Sequence, residues 1–214
     1  MVFRVATQVG YARSPEQLVH VPFGSVHDVR GRRLMISSNG TLRLEYIMDI
    51  AAERAGRFGL DQRRAAILGA DTVKYSLLAA SRQRDYRFSL ERMLSDEGNS
   101  AVSLRTVLKQ TAGPEDTRPA AQNVELSPQE RVLGLLLEEF PDAIGATLAS
   151  LEPHRMCTYL RDVAQAFAAF HERTVVLETR EDDAAGVRAM LRELTHRTIT
   201  VGLRLLGMAP SEWQ

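Results

Sequence analysis

The chain has 214 residues, 44% apolar and 25% charged, and its 27 basic residues balance its 27 acidic ones. That composition fits a soluble globular protein of one large domain or slightly more, and no apolar run reaches the roughly 18 residues of a membrane-spanning helix. The opening residues lack a leader pattern and the lone Cys157 has no internal disulfide partner, so a cytoplasmic protein without membrane contact is expected.

Before residue 41, the stretch LVHVPFGSV alternates in the manner of one or two short strands, with Gly24 and Gly31 flanking a turn. From there on the pattern is helical. In TLRLEYIMDIAAERAGRFG, Leu44, Ile47, Met48, Ala51 and Ala55 recur at helical spacing, with Thr41 as an N-cap and Gly56 or Gly59 as a stop. A second helix is predicted over 61–80, with Ile67, Leu68 and Leu78 inward, and a third over 100–111. The stretch GPEDTRPAAQNVELSP is rich in proline and poor in apolar residues, which predicts a surface loop or linker near 112–128. Helices follow over 128–139 and, beyond Pro141, to residue 150. The next, over 154–173, carries Met156, Tyr159, Leu160, Val163, Phe167 and Phe170 as one apolar stripe. The last helix is predicted over 182–207, with Val187, Met190, Leu191, Leu194, Ile199, Leu203 and Leu206 inward and Gly207 then Pro210 as stop signals. Trp213 is expected to be exposed near the tail.

Charge is unevenly distributed along the chain. Residues 1–110 hold 17 basic against 11 acidic residues, and 111–214 hold 10 against 16, so a polyanion should prefer the first part. The five histidines do not cluster at metal-ligand spacings, and no phosphate-binding, dinucleotide-binding or nucleophile motif is present. No catalytic residue, cofactor or metal is therefore expected. Tyr159, Phe167 and Phe170 read as core rather than as a base-stacking platform, and Cys157 reads as a small core residue. The segment SRQRDYRFSLERML gathers Arg82, Arg84, Arg87 and Arg92 around Tyr86 and Phe88. It suits RNA contact and, equally, a salt-bridged helix junction with Asp85 and Glu91. GRRLMISSNGT, at 31–41, has the Ser/Gly frame of a phosphate-holding loop but places Met35 and Ile36 at its centre.

Together these segments resemble the C-terminal half of bacterial arginyl-tRNA synthetases. LVHVPFGSV and GRRLMISSNGTLRL are similar to the strand and the KMSKS-type signature loop of that family. ADTVKYSLLAASRQRDYRFSLERMLSDEGNS resembles its Ala-Val-Lys-Tyr, Asp-Tyr-x-Phe and Glu-Gly-Asn series, and LEPHRMCTYLRDVAQAFAAFHER the core of its DALR anticodon-binding domain. LTHRTITVGLRLLGMAPSEW resembles its terminal helix and tail. The resemblance implies a mainly α fold: a DALR-type helical bundle over 46–214, preceded over 1–45 by a small α/β remnant of a class I synthetase catalytic domain. The family's HIGH motif, most of its Rossmann fold and its N-terminal tRNA-elbow module have no counterpart here. In the signature loop, Met35, Ile36 and Ser37, followed by Ser38, replace the family's Lys-Thr-Arg core, and losing preorganised cations there implies that aminoacylation is lost. SLRTVLKQ at 103–110 departs from the family's Tyr-Leu-Gln-Tyr-Ala-x-Ala-Arg pattern on a tRNA-facing helix: Ser103 and Thr106 replace the tyrosines, Arg105 the glutamine and Gln110 the arginine.

The expectation is a truncated, non-catalytic tRNA-binding adaptor that presents a tRNA, an arginine acceptor as candidate, to a separate modifying or aminoacyl-transferring enzyme. Its expected contacts are Arg82, Arg84, Tyr86, Arg105 and Lys109. One alternative is a protein-interaction or dimerisation module in which residues 1–45, with Val2, Phe3, Val5, Val9 and the strand at 19–26, meet a partner enzyme or a second copy. The other is a repurposed biosynthetic enzyme.

Overall fold

Two helices pack closely at the start of the helical region, α2 (Leu44–Gly56) and α3 (Gln62–Leu78). They cross at Gly69, where a Cβ would sit 2.5 Å from the backbone nitrogen of Ala52, so no larger residue fits. Asp61 caps α3 by accepting the Arg64 N–H. This computed structural model describes residues 2–28, 30–33, 43–93, 95, 98–112, 124–177 and 184–213. Met35, Ile36, Ser37 and Ser38 of the expected degenerate loop lie outside the described residues, as do 113–123 of the expected linker.

Helix α1 (Val2–Gln8) precedes a two-residue strand, β1 (Val26–His27), which pairs in parallel with β2 (Tyr86–Arg87); a short α4 (Leu90–Met93) follows. The expected strand over LVHVPFGSV, residues 18–26, is not formed except at its last residue: 18–25 lie outside any strand, and β1 takes Val26 with His27. Helix α5 (Ala101–Thr111) opens with a reciprocal capping box between Ser100 and Ser103, and α6 (Pro128–Glu138) with one between Ser127 and Glu130. Both boundaries match the expected ones within a residue. Val124 and Leu126, inside the span read as a surface linker, pack half-buried against the core. Helix α7 (Phe140–Ser150) ends on Leu151 in the left-handed conformation, φ +54°.

The 24-residue helix α8 (His154–Leu177) is the axis of the bundle and packs against α5, α6, α7 and α9 (Ala185–Leu205). Its expected stripe is buried throughout: Met156, Tyr159, Leu160, Val163, Phe167 and Phe170 all lie inside, and so does Cys157. Each such large side chain contributes about 1.5–3 kcal/mol by leaving water. On α9 the expectation needs correction, because Met190 and Leu194 are 47% and 39% exposed. The rotation of α9 is set elsewhere, by the buried Arg188–Glu130 pair at 2.8 Å and by Gly202, whose Cβ would lie 2.6 Å from Leu160 Cδ2.

The tail is also corrected. Trp213 is fully buried, the opposite of its expected exposure. Gly207, φ +76°, turns the chain back, and the Asp71 carboxylate on α3 accepts hydrogen bonds from Ala209 N and Trp213 Nε1, both at 2.9 Å. Lys74 Nζ donates to the Gly207 carbonyl. The main core cluster thus runs from Ala55 to Trp213, a smaller one joins Ile47 and Ala51 of α2 to Val73 and Met93, and none of the described residues between 2 and 33 is buried. The architecture is mainly helical with a small parallel corner, and among the described residues no helix is long and apolar enough to cross a membrane.

Candidate nucleic-acid interface

The segment 82–88, singled out for its arginines, forms the seam between the N-terminal residues and the bundle. Arg82 donates Nη1 to the Pro22 carbonyl at 2.8 Å, Nε to Leu151 O at 3.0 Å and Nη2 to Ser150 O at 3.3 Å. Two of these carbonyls end α7, where backbone acceptors lack intrahelical partners and a cation is favoured. Arg82 is committed to holding three backbone segments together, so it is a structural clamp rather than the surface phosphate contact that was expected. Next to it, Gly24 N donates to Arg82 O at 2.7 Å and Ser25 N to Asp85 Oδ1 at 2.9 Å. Here Gly24 is required by close approach: a Cβ would lie 2.2 Å from the Arg84 carbonyl oxygen. His27 Nε2 faces Asp85 Oδ2 at 3.4 Å while its Nδ1 meets Gly31 O at 2.9 Å. The junction reading of SRQRDYRFSLERML therefore accounts for Arg82 and Asp85. Arg84 and Arg87 remain exposed with no ion pair among the described residues, and Tyr86 is half-buried between them.

The two expected contacts on α5 part ways. Arg105 is 5% exposed, so it does not add the positive surface expected of it. Its Nε donates to Trp213 O, its Cζ lies 4.9 Å from the centre of the Phe58 ring, and burial lowers its pKa. Lys109 is exposed. At 3.6 residues per turn it stands about 40° around the helix from Arg105 and about 120° from Ser103.

The third face of α5 lines a groove of about 280 Å³ against α8, open to solvent. Ser103, Thr106 and Gln110 supply one wall, and Arg161 and Gln165 face them across a floor that includes Ala164. The three α5 positions are the ones where the sequence departs from the expected tyrosines and arginine. Ser103 Oγ donates to Gly98 O at 2.9 Å or Ser100 O at 2.8 Å and accepts from Ser100 N at 3.4 Å, and Thr106 Oγ1 donates to Val102 O at 3.3 Å, so both hydroxyl protons are turned back onto the backbone. Arg161 is held by Asp162 through Nε at 3.0 Å and Nη2 at 2.8 Å, which neutralises much of its charge. The α8 wall escaped the sequence reading because Arg161 and Gln165 sit on the polar side of a helix whose apolar stripe drew attention.

None of these groups is arranged for covalent chemistry. Burial pushes the Cys157 thiol up to about 12, leaving it un-ionised at neutral pH. Among the described residues no cluster of His, Cys, Asp or Glu is placed to hold a metal.

The model of the DALR anticodon binding domain matches residues 100–212, and the chain belongs to that family. Its relatives narrow the kinship further. The chain is 32% identical to the arginine–tRNA ligase of Shewanella amazonensis and 34% identical to that of Thermobifida fusca, with 99% of the chain and 39% of each relative covered. The solved arginyl-tRNA synthetase of Thermus thermophilus superposes with a TM-score of 0.80 at 22% identity, over 99% of this chain and 38% of that one. The Plasmodium falciparum enzyme gives 0.71, also at 22%. The chain is thus similar along its length to arginyl-tRNA synthetases, and it spans about two-fifths of the length of the relatives it matches.

Proposed function

We propose that the chain binds tRNA without charging it and acts as a cytoplasmic adaptor. It holds a tRNA, with an arginine acceptor as first candidate, for a separate enzyme that modifies it or uses its aminoacyl group. Membership of the anticodon-binding family across 100–212 is the observation that supports this reading. Arg84, Tyr86 and Lys109 are its contact residues. The arginine and lysine position phosphates, and the half-buried tyrosine offers a ring to an unstacked base. Arg82 and Arg105 drop out of the contact set because their guanidinium groups are engaged within the protein. Charging is absent because Met35, Ile36 and Ser37 carry none of the positive charge that adenylate formation draws on.

The test is a salt titration of tRNA binding combined with arginine-dependent ATP–pyrophosphate exchange. The expected result is affinity that falls steeply as salt rises, with exchange at background. Weak binding insensitive to salt removes the adaptor reading, and robust exchange removes the non-catalytic one.

A second reading has its own support. Val2, Tyr11 and Phe23 are 77%, 88% and 87% exposed, and α1 buries none of its residues. A seven-residue helix is marginal in water without a packing partner. Residues 1–45 would then meet a partner enzyme or a second copy of the chain. Light scattering on purified protein tests the self-association form: a dimer that dissociates on Phe23→Ser supports it, and a monomer at high concentration removes it.

A further inference from the structure

We propose that the turn between α2 and α3 is a second RNA-contacting surface, which follows the phosphodiester backbone with Arg54, Arg57 and Arg63; this rests on the tRNA-binding reading above. Residues 54–64 hold four arginines and a single acidic residue, Asp61, in a chain whose overall charge is zero. Arg57 and Arg63 are exposed and Arg54 is half-buried. Asp61 serves Arg64, at 3.6 Å. Arg57 reaches Glu53 only at 4.0 Å, with the two side chains 73% and 75% exposed, a pair that counts for little in water. Arg54 and Arg63 have no ion pair among the described residues.

The C-terminal end of α2 favours Arg54 and Arg57, but two contacts within the cluster are unfavourable in the free protein. Arg54 and Arg57, three residues apart, share a helix face and repel. Arg63 lies in the first turn of α3, where the positive end of the helix dipole disfavours a cation. A row of anions relieves both strains at once.

The surface is also rigidly backed. Phe58, at the centre of the turn, lies under the buried Arg105 guanidinium, which the Trp213 carbonyl holds in turn. Lys109, beside Arg105 on α5, carries the positive surface onto that helix. Sequence-independent phosphate contact fits this chemistry, since planar guanidinium groups grip phosphate oxygens in pairs. Insertion into an anionic bilayer fits it poorly: Phe58, 40% exposed, is the only large apolar side chain the turn exposes.

The experiment compares the whole chain with R54Q/R57Q/R63Q and R54K/R57K/R63K, binding an unmodified tRNA transcript over a range of salt. The glutamine variant should lose about tenfold in affinity or more, and its slope of log affinity against log salt should flatten by about 2–3, near 0.9 for each duplex phosphate that is no longer neutralised. The lysine variant should keep the slope. Arg63→Glu alone should lower affinity in the same direction, and unchanged Trp213 emission verifies folding in each case. If wild-type binding is salt-dependent but the glutamine variant retains its affinity and slope, this inference is wrong and the adaptor reading survives. If the wild type shows no salt-dependent binding, both fall. If the substitutions abolish binding to phosphatidylserine vesicles and leave tRNA binding intact, the surface belongs to a membrane and the inference is overturned.

Discussion

The bundle and the N-terminal residues of this chain are held by different forces. In the bundle, Leu133, Leu160, Val163 and Phe167 are wholly buried, and α5, α6, α8 and α9 all contribute buried side chains to the main core. Over residues 2–33 none of the described residues is buried, and attachment depends on the β1–β2 ladder, on Gly24 against the 82–84 backbone, and on Arg82 bonded to Pro22. Apolar burial is cooperative, so bundle helices stand or fall together; a few backbone hydrogen bonds at a solvent-facing seam open locally. The bundle is therefore a scaffold, and the N-terminal corner is an attachment that can open without unfolding it.

Four changes break or sharpen that contrast. Phe167→Ala removes the ring from the centre of the core and should cost about 3–5 kcal/mol, measured by chemical denaturation followed through helical circular dichroism. Asp71→Ala removes the acceptor of both Ala209 N and Trp213 Nε1; it should cost about 1–3 kcal/mol and shift Trp213 emission to the red as the tail loosens. Gly24→Ala drives a methyl into the Arg84 carbonyl; hydrogen exchange at Gly24, Tyr86 and Phe88 should accelerate while the unfolding midpoint of the bundle stays within about 0.5 kcal/mol of wild type. If the whole protein melts instead, corner and bundle are one unit. The smallest effect is acidic. Desolvation opposes ionisation of Glu130, but the hydrogen bonds from Arg188 and Ser127 outweigh it, and its pKa is held below the usual 4.5. A carboxylate with a lowered folded pKa stabilises the fold above its unfolded value and loses that contribution as pH falls through the folded value. Stability measured between pH 6 and pH 3 should decline below about 4.5, and Glu130→Gln, destabilised at neutral pH, should decline less steeply.

Sequence periodicity was most informative where local signals and burial agree. The spans 100–111 and 128–139 were placed within a residue, and the structure adds why they start there: Ser100 and Ser127 bond residues three positions on. The α8 stripe was legible because its apolar residues occupy one narrow face. On α9 the apolar residues spread too widely for periodicity to say which side turns inward; that is fixed by Glu130, 58 residues earlier, and by the close passage at Gly202. The site was less legible for a related reason. An arginine's sequence neighbours do not reveal whether its guanidinium meets solvent or a distant carbonyl. Arg82 finds Leu151 across 69 positions and Arg105 finds Trp213 across 108, while Arg84 and Lys109, equally charged and close by in sequence, stay at the surface. Likewise, the groove became visible only when α5 and α8 were set side by side.

The bond from Trp213 to Asp71 joins residues 142 positions apart, which has a consequence for synthesis on the ribosome. At about 5–20 residues per second, roughly 7 to 30 seconds separate the synthesis of Asp71 from that of the indole that covers its carboxylate. Throughout that interval the nascent chain holds an acidic group at a site destined for the interior, and the α2–α3 pair cannot reach its final packing. Closure of this side of the molecule is thus deferred until Trp213 has been made, and a product interrupted before it would display an open acidic seat that the longer chain conceals.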